Sequence, residues 1–277
     1  MSAEPSQGPA TDQQDQSPEQ EPDDEGDRDG WVMLTVPPPA DRPMLRLIGE
    51  PELVGARGPA NRRSKQRSLE ILFYLLEHPG TTMPTLTRTF SLSRDYAKSL
   101  ISNLRKTLGA TDDGDLYLPE MGQSPGYRLH DQVTCDLYYV NQLIGRGVNT
   151  APDEVLIRIL SVVRGEPFLG ADDWKLGFNL QAIRANISSK LTDAAHELAS
   201  RALADGNIAL ARWATSQGRT ADPLNQTLMA DEVRTEARAG NRAVVARLAD
   251  RMSATARELG SDLTDDAKEV LRDAIAM

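Results

Sequence analysis

At 277 residues the chain has room for about two domains, and a hydrophobic fraction of 39% with 20 glycines places its bulk in the globular range. A lone cysteine, Cys135, excludes an internal disulfide and a cysteine-based zinc site, and no run of about 18 apolar residues is present to cross a membrane, so a soluble, cytoplasmic chain is expected. The net charge of −10 argues against nucleic acid only until it is divided: residues 1–30 carry ten acids against Arg28, whereas 31–130 are net +3 and 131–277 net −4.

Residues 1–42 read as a disordered acidic linker. They are rich in Gln, Pro, Ser, Asp and Glu, they run into Pro37, Pro38 and Pro39, and residues 1–30 lack the apolar surface needed to offset ordering entropy. An activation segment would interleave aromatics with the acids, which residues 1–30 do not. Next, Met44 to Ile48 and Glu52 to Val54 alternate around Gly49-Glu50-Pro51 as two short strands. From Ser64 to His78, Leu69, Leu72, Phe73 and Leu76 recur at helical spacing, and Pro79-Gly80 ends that helix. A second helix is expected from Thr82, as cap, to Phe90, with Leu86 and Phe90 inward, and a third from the cap Ser93 to Leu108, ending at Gly109. Leu116 to Leu118 and Tyr127 to Leu129 then predict a hairpin across a Gly/Pro/Ser loop. Two strands, three helices and a hairpin over residues 43–130 describe an α+β winged-helix domain.

From Asp131 strand signals stop, and breaks at Gly145 to Thr150, Gly165 to Pro167, Asp205-Gly206, Asp222-Pro223 and Gly240 punctuate an all-helical half, 131–277. Gly206-Asn207 and Gly240-Asn241 lie 34 residues apart, the period of tetratricopeptide repeats, and Ala209 and Ala243 repeat the match. Two glycines can share a spacing by coincidence. Even so, Gly206, Ala211 and Pro223 also follow the turn, small-residue and helix-opening pattern of such a repeat, so a tetratricopeptide-like array is expected.

Function concentrates in the basic middle, where ten Lys and Arg face three acids between 57 and 106. With about 100° per residue, Arg94, Lys98, Ser102, Arg105 and Lys106 fall within roughly 120° of arc on the third helix. Ala97, Leu100, Ile101, Leu104 and Leu108 fill the other side. Such a helix either presents an ordinary solvated face or enters a major groove of double-stranded DNA, and its place as third helix before a hairpin favours the groove. Arg128 in the wing, and Arg63 and Lys65 ahead of the first helix, are the phosphate-contact candidates.

Enzymatic readings are weak. Gly122-Gln123-Ser124-Pro125-Gly126 fits the Gly-x-Ser-x-Gly pattern, but a strand follows where a helix is needed, and Pro125 lacks the N–H of an oxyanion hole. His78, His130 and His196 show no metal-ligand spacing, and no phosphate-binding glycine loop is present, so neither a catalytic residue nor a cofactor or metal is expected.

The stretches Leu72 to Gly80, Ile101 to Gly109, Gly126-Tyr127-Arg128-Leu129, Val163 to Phe168 and Ala221-Asp222-Pro223 together resemble actinobacterial transcriptional activators of the antibiotic-regulatory-protein type. In these a response-regulator-like winged helix precedes a tetratricopeptide-like bacterial transcriptional activator domain. The resemblance covers residues 44–275 and places Arg94, Lys98, Ser102, Arg105 and Lys106 on the family's recognition helix and Arg128 on its wing. It implies promoter binding at direct repeats and contact with RNA polymerase, and a DNA-binding regulator of transcription whose helical half mediates dimerisation or partner contact is expected. The chain departs from the family between its second and third helices, where only Ser91-Leu92 stands in place of a longer loop with Trp-Pro, the loop through which polymerase contact is expected. Tyr117-Leu118-Pro119 and Cys135-Asp136-Leu137-Tyr138 resemble a subgroup attached to membrane proteins with peptidoglycan-binding modules. That subgroup implies the alternative function, a cytoplasmic interaction or signalling module with little specific DNA binding.

Overall fold

The computed structural model describes residues 41–59, 65–120, 126–145, 147–175 and 179–276. Most of the expected linker, Arg63 and the core of the Gly-x-Ser-x-Gly segment lie outside them. The first strand, β1 (Met44–Arg46), pairs antiparallel with β2 (Glu52–Val54), Leu45 opposite Leu53. Gly49 turns the chain between them with φ +118°, and a Cβ there would meet the Cβ of Arg164 at 3.0 Å, so glycine serves both conformation and space.

The sheet has a third member that the sequence reading misses. Strand β3 (Thr134–Cys135) lies parallel to β1 on its other edge, with Met44 opposite Thr134 and Leu45 opposite Cys135, giving the order β2-β1-β3. Strand structure therefore continues past Asp131, and two residues are too few to show a period of two. The expected boundary at 130 and 131 falls inside this junction, and all the described residues belong to one compact unit.

Immediately after β3, Asp136 opens helix α4 (Asp136–Ile144). Its carboxylate is buried and accepts from the backbone N–H of Leu47 at 2.8 and 2.9 Å and of Ile48 at 3.0 Å. Two strand-edge donors that would otherwise be buried without partners are thus satisfied. Burial pushes this carboxyl up to about 6 against the opposing pull of those N–H bonds.

Helices α1 (Lys65–Glu77), α2 (Met83–Phe90) and α3 (Arg94–Leu108) follow the sequence reading to within a residue or two. The hydroxyl of Thr82 accepts from the N–H of Thr85 at 3.4 Å, and that of Ser93 from the N–H of Tyr96 at 3.3 Å, so both expected caps form. Ser91, with φ 52°, makes the sharp turn between α2 and α3. Helix α1 departs from the expected single apolar stripe. Ile71, Leu72, Phe73 and Leu75 are all buried, while Leu76 is only partly so. A helix hydrophobic on several faces is covered on several faces. Here the second cover is the segment 168–174, where Phe73 meets Phe168 edge-on at 5.5 Å and Trp174 at 6.3 Å. On the same helix the buried Glu70 pairs with Arg67 and accepts the N–H of Lys175.

The wing differs from a regular hairpin. Among the described residues its arms form isolated bridges, Ala110 with Leu116 and Thr81 with Tyr127, and a single bond joins them, from His130 N–H to the Tyr117 carbonyl at 2.9 Å. The return arm is held by the α1–α2 turn instead. Gly80 N–H donates to Tyr127 at 2.8 Å and Tyr127 N–H to Thr81 at 2.7 Å. Gly126 approaches so closely that a Cβ would strike the carbonyl of Gly80.

The helical half continues with a short 3-10 turn (Val148–Thr150), α5 (Asp153–Leu160), α6 (Asn179–Ala204), α7 (Ile208–Ala221), α8 (Gln226–Arg238), α9 (Arg242–Glu258) and α10 (Asp265–Ala276). Gly206 and Gly240, with φ +75° and +77°, both turn the chain between antiparallel helices, and Ala211 and Val245 are both buried, so the 34-residue spacing corresponds to a repeated helical hairpin. Pro223 does not open the next helix. Asn225 does, its side-chain oxygen accepting from the N–H of Leu228 at 3.3 Å.

Between these hairpins His196 Nδ1 lies 2.7 Å from the buried carboxylate of Asp231, which also holds Arg234 at 2.9 Å. The hydrogen bond to Asp231 raises the histidine above its usual range. Folding therefore favours the imidazolium, and this contribution is complete below the ordinary histidine value of about 6.5 and disappears as pH rises through the raised one. The wild-type urea midpoint is expected to fall as pH rises above about 6.5, and a His196→Gln variant to flatten that fall.

Candidate nucleic-acid interface

Helix α3 is fixed from behind. Ala97, Leu100, Ile101, Leu104 and Leu108 are each buried, against α1 and α2. Its C-terminal carbonyls are closed by chain from before α1: Arg57 N–H donates to Leu108 at 3.2 Å and Gly58 N–H to Thr107 at 3.0 Å. At Gly58 a Cβ would strike the carbonyl of Lys106, and Arg57 pairs with Asp112 just beyond the helix. The sequence reading placed Arg57 only within the general basic cluster, and nothing local in the sequence signals that it clamps α3.

On the opposite face Arg94 and Lys98 are exposed, with neither engaged in an ion pair among the described residues, and Ser102 is half-buried a turn further along. Lys106 is exposed in the last turn, where a cation also complements the helix dipole. Arg128 is exposed beside Tyr127 on the return arm of the wing. Lys65 is exposed at the first residue of α1, while its neighbour Arg67 is drawn back to Glu70.

Arg105 has a different role from its wheel neighbours. Only 18% of its side chain is exposed. Its Nε donates to the carbonyl of Leu118 at 2.8 Å and a terminal nitrogen to that of Pro119 at 3.3 Å, with Glu120 at 3.7 Å. Its charge also opposes the burial that raises the Tyr127 hydroxyl on the other arm. Arg105 thus bolts the wing to α3 and leaves the open face to Arg94 and Lys98. Arg105→Ala is expected to cost about 1 to 3 kcal/mol, chiefly by leaving the carbonyl of the buried Leu118 without its donor, read as a lower urea midpoint. Alanine at Arg94 or Lys98 should leave that midpoint unchanged.

Among the described residues no three His, Cys, Asp or Glu side chains are grouped to hold a metal, and no helix is long and apolar enough to cross a membrane. Cys135 is buried, which pushes its thiol far up and leaves it without nucleophilic character.

No protein-family model matches the chain, and no curated protein matches it. The structure of Mycobacterium tuberculosis EmbR in complex with a low-affinity phosphopeptide does, at a TM-score of 0.58 and 18% identity, over 85% of this chain and 65% of that one. The chain therefore covers less than two thirds of EmbR, and the likeness at this identity is one of fold: a small sheet with helices, then a helical half.

Proposed function

We propose that this protein is a DNA-binding regulator of transcription, without chemistry of its own, that reads promoter DNA through α3 and its wing. The observation that carries this reading is a helix anchored by five buried apolar residues whose outward face offers Arg94 and Lys98, neither in an ion pair among the described residues. Arg and Lys on such a face donate to guanine O6 and N7 in a major groove, and Ser102 contacts a base edge or phosphate. Lys106, Arg128, Lys65 and Arg63 supply phosphate contacts, which set affinity and register without choosing sequence. The fold shared with EmbR, a regulator of the antibiotic-regulatory-protein type, supports the same reading. The helical half then serves dimerisation or contact with a partner such as RNA polymerase.

The test is a titration of a promoter fragment against a shuffled duplex of equal length, followed by fluorescence anisotropy. A preference of about 1,000-fold or more at moderate salt is the expected outcome. Equal retention of both duplexes, fading together as salt rises, overturns it.

A further inference from the structure

A polar cleft of about 400 Å³ opens between α7, α8 and α9, remote in sequence from the DNA face. Arg212, Ser216 and Arg219 line it from successive turns of α7, Glu232 and Glu236 from α8, and Arg251 from α9. Its charges are unevenly matched. Glu236 holds Arg212 with both oxygens, at 2.6 and 3.1 Å, and is itself shared with Asn241. That leaves Glu232 alone between two guanidinium groups, 4.0 Å from Arg219 and 4.0 Å from Arg251, too far to hydrogen-bond either.

Arg219 is the more exposed to this deficit. Only 17% of its side chain reaches solvent, and one of its terminal nitrogens is buried without a partner among the described residues. Burial of an arginine is costly unless its donors are met, and a half-satisfied polar network is less stable than a complete one. Ser216, exposed at the rim, has a hydroxyl that donates to nothing among the described residues. The arrangement has more donors than acceptors, and a carboxylate already tethered there fails to close the bonds. An anion with three free acceptor oxygens, able to reach two guanidinium groups and a hydroxyl at once, meets the deficit.

We propose that this cleft binds a small phosphate-bearing ligand, with Arg219 and Arg251 pairing its oxygens, Ser216 donating a third bond and Glu232 setting an electrostatic limit on affinity. The cleft is independent of the DNA reading, and its test uses a different face of the protein.

The experiment is a ³¹P NMR titration of the full chain with inorganic phosphate and, separately, with a nucleoside monophosphate, at ionic strength held constant with chloride, and with acetate as a carboxylate competitor. Saturable broadening is expected, weakened at least tenfold in Arg219→Gln and in Arg251→Gln. The second variant alters a side chain that is 55% exposed, which keeps the test valid if the first fails to fold. Glu232→Gln, which removes a repelling charge, should tighten binding several-fold, and Arg94→Ala/Lys98→Ala should leave it unchanged. A tighter response to the monophosphate than to phosphate marks a phosphorylated metabolite as the ligand, and equal responses mark the free anion. The proposal fails if broadening is absent at tens of millimolar, survives in both arginine variants, is lost with Arg94 and Lys98, or is matched by acetate at equal concentration.

Discussion

Replacing Arg94 and Lys98 together with alanine is expected to weaken binding to a cognate promoter by about 100-fold while the fold stays intact. Each good contact from Arg or Lys to a base edge discriminates by about 1 to 3 kcal/mol, and two of them are removed. Neither side chain is part of the core or of an ion pair among the described residues, so the urea midpoint should not move. Binding to shuffled DNA should fall far less, because Lys106, Arg128 and the bases ahead of α1 still neutralise phosphates. The two effects are separable by titrating both duplexes across a salt series. A base-contact loss shows as a vanished difference between duplexes at one salt concentration, whereas loss of a phosphate contact lowers the slope of log affinity against log salt by about one. Equal weakening on both duplexes would make Arg94 and Lys98 backbone contacts and move the reading elsewhere.

The second large effect is on stability. Asp136→Ala is expected to cost about 3 to 5 kcal/mol, because the N–H groups of Leu47 and Ile48 would lose their acceptor within a buried junction, each at about 1 to 3 kcal/mol. Against a usual total of about 5 to 15 kcal/mol, that removes much of the margin. Denaturation in urea should show a lower midpoint, and the sheet should loosen first where β1 meets β3. The acid-side part of the wild-type pH dependence follows from the same residue. Burial holds the folded carboxyl at about 6, above its usual value of about 4, so folding favours the protonated form. Its contribution is complete below about pH 4, declines as pH rises and is spent beyond about 6, a change of up to about 3 kcal/mol. Asp136→Asn, which cannot titrate, should remove this decline between pH 4 and 6.

These two places, the face of α3 and the junction at Asp136, also mark where the sequence was and was not informative. Helix α3 was legible throughout, from its Ser93 cap to Gly109, because its apolar and basic faces separate at a period of 3.6 and the caps are local. Asp136 was not, since in the sequence it is only an acid at the start of a helix, a common and innocuous place. Its partners lie 88 and 89 residues away, and no periodicity encodes that distance. Strand β3 escaped for the same reason, two residues whose pairing is decided entirely by β1.

Arg105 shows the limit of helical-wheel reasoning at the candidate site. Its backbone position falls between those of Arg94 and Lys98, but a long side chain near the end of a helix can turn to whatever carbonyls lie close, and Leu118 and Pro119 do. The wing carries the sequence pattern of a hairpin but forms no ladder between its arms among the described residues. Its residues carry the strand pattern, yet Tyr127 finds its partner in Thr81, in the turn before α2, rather than in the opposite arm. Helix α1 similarly carried an extra apolar face whose cover, Phe168 and Trp174, arrives from the helical half.

The most direct test is selection of genomic fragments by the purified full chain across a salt series, run in parallel with the Arg94→Ala/Lys98→Ala variant. Enrichment of a repeated sequence element that persists at moderate salt for the wild type and is absent for the variant is the expected result. Retention without sequence preference, fading equally for both proteins as salt rises, would contradict it and make the basic face of α3 a solvated surface.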